Sequence, residues 1–200
     1  MKVTLHPNDA LLVTDVQRDF LPGGSLAVKR GEEVVPVLNA YIETARAAAV
    51  PVYASRDWHP LDHCSFRARG GPWPEHCVAG TPGAAFASGL ELPADTVIIS
   101  KATTADAEAY SSFEATDLSL RLRKSGVDRL LVGGLTTDYC VLNTVLDALK
   151  LGFQVLLLED AIRPVNLQPG DGERALRSMR EAGAMQIRFS DLEPAAIPHA

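Results

Sequence analysis

Four apolar runs in this 200-residue chain each lead into a side chain able to do chemistry. Leu11-Leu12-Val13-Thr14 ends in Asp15, and Val52-Tyr53-Ala54-Ser55 runs into Asp57-Trp58-His59. Val97-Ile98-Ile99-Ser100 ends in Lys101, and Leu130-Leu131-Val132-Gly133 leads through a short loop to Cys140. Ligands of open α/β sheets bind outside the carboxyl ends of the strands. If the runs are strands, an acid, a metal-type pair, an ammonium and a thiol share one rim.

Cys140 follows Gly133-Gly134-Leu135-Thr136-Thr137-Asp138-Tyr139, at the expected start of a helix. A helix N-terminus carries partial positive charge and unpaired N–H groups, which favour a thiolate and can hold an oxyanion. A lone cysteine is more often a small buried hydrophobe. Asp15 and Lys101 at neighbouring strand ends shift the balance towards a nucleophile. A carboxylate beside a thiol can take its proton and return it to a leaving amine, and an ammonium holds the pair in place. Taken alone, Asp15 and Lys101 would read as a structural salt bridge. Gln17 and Asp19 are expected to orient their loop rather than react.

Asp57, His59, His63 and His76 fall within twenty residues. Asp57 and His59 are two apart on an extended segment and so share a face. Mixed nitrogen and oxygen ligands with open positions suit Zn²⁺, Fe²⁺ or Mn²⁺. A single histidine there would read as a hydrogen-bonded loop residue, but the group makes a metal the better reading. Phe20 and Trp73 are placed to sandwich a flat ring, or else to serve as packing. Trp58 is expected to point away from the metal, and Cys64 and Cys77 to be structural.

These side chains need a scaffold. Strand-like segments at 10–16, 51–55, 96–100, 129–133, 154–159 and 185–189 alternate with helix-like segments at 33–49, 117–124, 138–151 and 172–182. In the first helix, Val34, Val37, Leu38, Tyr41, Ile42 and Ala45 recur at helical spacing. Asp117 is a candidate N-cap and Gly126 a candidate C-cap. The stretch 56–95 is too long for an idle connection and reads as an ordered, site-building loop. The tail 193–200 is expected to fray. The alternation implies a single-domain, three-layer α/β/α architecture over residues 1–200, with a mostly parallel, six-stranded sheet and helices on both faces.

Hydrophobic content of 46% is ample for a core, and the net charge of −6 argues against a nucleic-acid footprint. No apolar run is long enough to span a bilayer. Met1-Lys2 leads to Leu5-His6-Pro7-Asn8-Asp9 rather than to an apolar signal region, and the three cysteines are odd in number. Both point to a reducing cytoplasm. A homo-oligomer is left open.

Asp15-Val16-Gln17-Arg18-Asp19-Phe20, Ser55-Arg56-Asp57-Trp58-His59-Pro60, Gly70-Gly71-Pro72-Trp73-Pro74-Glu75-His76-Cys77, Ser100-Lys101, Ala109-Tyr110-Ser111 and Thr137-Asp138-Tyr139-Cys140-Val141 together resemble the nicotinamidases. These belong to the isochorismatase-like cysteine hydrolases, whose architecture is Rossmann-like. The resemblance covers about residues 11–184. It implies a six-stranded parallel sheet and a catalytic triad of Asp15, Lys101 and Cys140. It implies one divalent metal, zinc in the first instance with iron or manganese as alternatives, held by Asp57, His59 and His76, with His63 as a fourth ligand in some members. In that family the metal holds the pyridine nitrogen, and the reaction turns nicotinamide into nicotinate and ammonia within NAD salvage. Pyrazinamide is expected to be accepted as well. The resemblance further implies a cis peptide between Leu135 and Thr136, an oxyanion hole from the N–H groups of Thr136 and Cys140, and substrate contacts from Phe20, Trp73, Leu135 and Tyr110.

Many relatives carry alanine at the position of Thr136, so its side chain is expected to narrow the pocket. The nearest alternative is a related hydrolase acting on another small amide or carbamoyl compound, which would need no ring-binding metal. A thiol-sensing or metal-binding protein without turnover is disfavoured by the intact Asp15, Lys101 and Cys140 set. A dinucleotide-binding protein is disfavoured because Gln17-Arg18-Asp19-Phe20, not GxGxxG, follows the first strand.

Overall fold

The computed structural model describes residues 2–193. Six strands form one sheet: β1 (Asp9–Thr14), β2 (Val52–Asp57), β3 (Val97–Lys101), β4 (Arg129–Leu135), β5 (Gln154–Arg163) and β6 (Met185–Ile187). Their order is β3-β2-β1-β4-β5-β6, and every pairing is parallel. Four α-helices lie between them: α1 (Val34–Ala47), α2 (Leu118–Lys124), α3 (Leu142–Lys150) and α4 (Asp171–Glu181).

The apolar runs become strands because a parallel sheet is covered on both faces and needs no polar alternation. Successive side chains of β1 enter opposite cores. Leu11 and Val13 pack on the α1 side with Leu38, Tyr41 and Ile42. Ala10 and Leu12 pack on the other side with Leu118, Leu122, Val145 and Met179 of α2, α3 and α4. The fold is therefore the three-layer α/β architecture expected.

Chain order reverses at β1: the chain first builds β2 and β3 to one side, then returns to place β4 on the other. Such a switch point opens a crevice at the strands' carboxyl ends. Asp15 follows β1 there, and Thr136 follows β4.

Local boundaries differ in instructive ways. β4 continues two residues past Gly133, because Gly134 and Leu135 pair with Ile162 and Arg163 of a longer β5. The polar Glu159-Asp160 pair does not stop β5, which bulges and goes on. Gly134 has φ +125°, and a Cβ there would lie 2.0 Å from the Thr14 carbonyl oxygen. Gly134→Ala is therefore expected to lower stability by about 2–3 kcal/mol, as measured by urea unfolding. Asp117 occupies the N-cap position of α2 as expected, but its side chain makes no capping bond: the carboxylate pairs with Arg121 at 2.8 Å, and the Thr116 hydroxyl accepts the Leu118 N–H. Gly126 does follow α2 in the left-handed conformation. β6 ends at Ile187, and Phe189–Asp191 forms a 3-10 turn. The tail beyond residue 193 lies outside the described residues. Among them, no helix is long and apolar enough to cross a membrane.

Candidate active site

Asp15 leaves β1 in the left-handed conformation, φ 48°, and is fully buried. Its N–H donates to the Ser55 carbonyl, and the Ser55 hydroxyl donates to Oδ1 at 2.7 Å. Lys101, at the end of β3, is also buried. Its Nζ lies 3.0 Å from Asp15 Oδ2 and 2.5 Å from Asp57 Oδ1, and donates to the Ala109 carbonyl at 3.0 Å and to Cys140 Sγ at 3.5 Å. One ammonium thus ties the acid of β1, the acid of β2 and the thiol after β4. Oxygens of Asp15 and Asp57 and the Cys140 sulfur lie within 4.8 Å of one another. That trio could itself resemble a metal cluster, but the Lys101 ammonium already serves as its cation.

Cys140 sits in a π-helical turn, Thr137–Val141, that opens α3. The peptide before the turn, Leu135–Thr136, is cis. The Asp138 carboxylate accepts the N–H groups of Val165 and Asn166 at 2.9 and 2.7 Å, fastening the turn to the segment before α4.

Electrostatics divide the work among these groups. Burial raises the Asp15 carboxyl to about 6, against the pull of Lys101 and with help from Asp57. Burial opposes the Lys101 charge, yet Asp15 and Asp57 overcome it and hold the ammonium well above its ordinary range. The Cys140 thiol is pushed up by burial and by both carboxylates, with Lys101 opposing. The turn therefore does not create a resting thiolate, as the position at a helix start suggested. The resting pair is a thiol and a carboxylate.

Asp57, His59 and His76 form a second buried group, their ligand atoms within 4.8 Å of one another. The Nδ1 of His59 faces the Ala102 carbonyl at 3.3 Å, and that of His76 faces the Pro74 carbonyl at 2.8 Å. Each ring thus has Nε2 left for another partner. The Nε2 of His59 is buried, lies 3.8 Å from Asp57 Oδ2 and has no hydrogen-bond partner. An orphaned buried nitrogen facing a carboxylate and a second imidazole fits one divalent ion, and backbone carbonyls on the opposite ring nitrogens are the usual outer support of such a site. Burial lowers His59 to about 4, with Asp57 opposing, so the ring is neutral and able to ligate. Desolvation disfavours the charged Asp57 carboxyl, yet Lys101, His59 and His76 more than offset it, and its pKa is lowered.

His63 stays outside that group. Its ring packs on His59 with centroids 4.2 Å apart, but Nδ1 is engaged by Ser65 at 2.7 Å and Nε2 by the Ala107 carbonyl at 3.1 Å. Both nitrogens are used within the protein, so the arrangement offers three ligands rather than four.

Cys140 of the first group and all three residues of the second line one cavity, with about 360 Å³ of empty space that includes its open mouth. Phe20, Trp73, Tyr110 and Thr136 line it, with Cys140, Asp57, His59 and His76. The Trp73 indole N–H donates to the Tyr110 hydroxyl at 3.0 Å, and Tyr139 meets Trp73 edge-on at 4.9 Å. Leu135 does not line the cavity; it is buried in the α1-side core, because strand alternation turns it inward. Leu26, Glu108, Tyr139 and Val165 also form the wall. Tyr139 and Glu108 were signalled only by adjoining Cys140 and Ala109-Tyr110, and Leu26 and Val165 by nothing. Trp58 points into the α1-side core with the Arg56 guanidinium 3.7 Å over its ring.

A doubly wound α/β sheet that presents a buried thiol, ammonium and carboxylate at its switch point defines a cysteine-hydrolase type of architecture. The isochorismatase domain family matches residues 9–191, and the chain belongs to that family. Among its relatives, the nicotinamidase of Escherichia coli (strain K12) is 38% identical over 208 residues, covering 94% of this chain and 98% of the relative. The pyrazinamidase of Pyrococcus horikoshii, solved in complex with zinc, is 52% identical, with a TM-score of 0.88 over 92% of this chain and 100% of that one. The protein named PnC1 from L. infantum, solved in complex with nicotinate, is 37% identical, with a TM-score of 0.90 over 96% and 99% of the two chains.

Proposed function

We propose that this protein is a metal-dependent amidohydrolase that converts nicotinamide to nicotinate and ammonia through a Cys140 thioester. The observation that carries this reading is one cavity whose wall bears Cys140, backed by the buried Asp15–Lys101 pair, beside three metal-type ligands, one with an orphaned nitrogen. The names of the relatives above support the substrate class and zinc as the ion. On the same reading the chain is one catalytic domain, works in the cytoplasm in NAD salvage, and accepts pyrazinamide.

Asp57, His59 and His76 hold the ion, and a bound divalent cation supplies a Lewis acid for the pyridine nitrogen. Phe20, Trp73 and Tyr110 hold the ring. Asp15 takes the Cys140 proton as the sulfur attacks the carboxamide carbon. The carbonyl electrons move to oxygen, where the N–H groups of Thr136 and Cys140 stabilise the charge. Collapse breaks the C–N bond, and Asp15 returns the proton to the departing ammonia. Asp15 then takes a proton from water as the water oxygen attacks the thioester carbonyl; on collapse the C–S bond breaks, Asp15 returns that proton to the sulfur, and nicotinate leaves after losing its carboxyl proton to solvent. Lys101 stays protonated throughout and keeps both carboxylates in place.

The test is ammonia release from nicotinamide by purified protein, before and after chelation. Chelation is expected to abolish turnover and added Zn²⁺ to restore it. Folded protein that stays inactive with Zn²⁺, Fe²⁺ and Mn²⁺ would exclude nicotinamide as substrate and return attention to other small amides.

A pH profile tests the base. Asp15 must be ionised to accept the thiol proton, so kcat/KM is expected to rise with pH through a midpoint near 6 and then level off. For stability the sign is opposite: a carboxyl whose pKa is raised by folding stabilises the protein at low pH and loses that contribution as pH climbs through about 6. A rate profile flat through this range would remove Asp15 as the base.

A further inference from the structure

The segment after β1 carries two polar side chains that the reaction does not use, Gln17 and Asp19. Gln17 is fully buried, and its amide bonds only to backbone. Oε1 accepts the Asp57 N–H at 2.8 Å, while Nε2 donates to the Asp57 carbonyl at 2.8 Å and to the Ala84 carbonyl at 2.9 Å. It therefore grips both polar groups of the residue that offers the carboxylate. Asp19 reaches the other ligand-bearing segment. Its Oδ2 accepts the N–H of Cys77, next to His76, at 2.7 Å, and the Cys77 carbonyl accepts the His59 N–H at 3.0 Å. Oδ1 accepts the Ser25 N–H at 3.3 Å. Gly83 leaves room for this carboxylate, since a Cβ there would meet Asp19 Oδ2 at 2.2 Å.

We infer that Gln17 and Asp19 are positioning residues, a two-pronged backbone clamp that holds Asp57, His59 and His76 in register for the ion. This rests on the proposed metal site. The three ligands come from two separate segments, 57–59 and 76, and the segment carrying Gln17 and Asp19 contacts the backbone of both. The two segments also bond directly to each other, the His59 N–H to the Cys77 carbonyl and the Ala79 N–H to the His59 carbonyl, and the clamp fixes this pair against the end of β1.

The full-length protein is stripped of metal, and its Zn²⁺ affinity is measured by competition with a chromophoric chelator, beside its unfolding midpoint. Gln17→Leu and Asp19→Ala are each expected to weaken Zn²⁺ binding by about 10–100-fold, the range typical of outer-shell partners. Asp19→Asn, which keeps an acceptor for the Cys77 N–H, is expected to recover most of that loss. A merely structural role would lower the unfolding midpoint without moving Zn²⁺ affinity at temperatures where the variants are folded, and that result overturns the clamp. So does an Asp19→Asn variant as weak as Asp19→Ala. If Gln17→Leu does not fold, the Asp19 pair decides. Native protein that binds Zn²⁺ but releases no ammonia from nicotinamide overturns the substrate assignment and leaves the clamp to these variants. Native protein with no affinity for Zn²⁺ overturns both.

Discussion

Cys140→Ala is expected to reduce kcat/KM for nicotinamide by on the order of 10⁴-fold or more while leaving the fold intact. The sulfur is the only thiol on the cavity wall among the described residues, and Asp15 and Lys101 converge on it. The remaining amide donors and aromatic walls can still bind the substrate, so KM is expected to change far less than kcat. Cys140→Ser is the sharper comparison. It preserves shape and hydrogen bonding but replaces the thiol with a hydroxyl that a carboxylate with a pKa of about 6 deprotonates poorly. Both variants are expected to bind Zn²⁺ as the native protein does, because the ion's ligands come from other segments. Retention of more than a small fraction of native turnover by Cys140→Ala would mean that the thiol is not the nucleophile.

Lys101→Met is expected to have the largest effect on stability. Its side chain fills similar volume but leaves Asp15 and Asp57 buried beside each other without their shared counter-ion. Breaking a buried charge network on one side costs about 3–5 kcal/mol, because the stranded charge cannot recover its hydration. Urea unfolding of metal-free protein at neutral pH measures it. The deficit has a defined pH dependence. Without the ammonium the folded-state pKa of Asp15 rises further above its unfolded value and that of Asp57 is no longer held down by Lys101, so the variant is least handicapped at low pH and loses stability as pH rises. Its turnover is also expected to vanish, since a protonated Asp15 cannot accept the thiol proton. A variant as stable as the native protein at neutral pH would show that the carboxylates do not depend on Lys101.

Much of this was written in the residue order. Apolar runs such as Leu11-Leu12-Val13 betray strands buried on both faces, and each run's last residues then fall at the carboxyl rim. That single regularity places Asp15, Asp57 and Lys101 at the rim, and the short loop after Gly133 brings Cys140 to the same end. The close spacing of Asp57 and His59 made them a ligand pair on an extended segment. His76 joined them through composition and through the resemblance to the nicotinamidases.

Other features depended on neighbours distant in the chain. The extension of β5 through Glu159 and Asp160 depends on its pairing with Gly134 and Leu135, and the inward turn of Leu135 on that strand's alternation. His63 has the same local chemistry as His76, but Ser65 and the Ala107 carbonyl occupy its two nitrogens. Leu26 and Val165 reach the cavity wall only because loops from opposite ends of the chain meet there. By itself the sequence determined which residue types stand at the strand ends, since local hydrophobic patterning sets the elements. The tertiary structure decided which nitrogens stay free, which walls close the cavity and which proton resides on which group. Those depend on desolvation and on pairings between distant segments, and neither exists until the chain has folded.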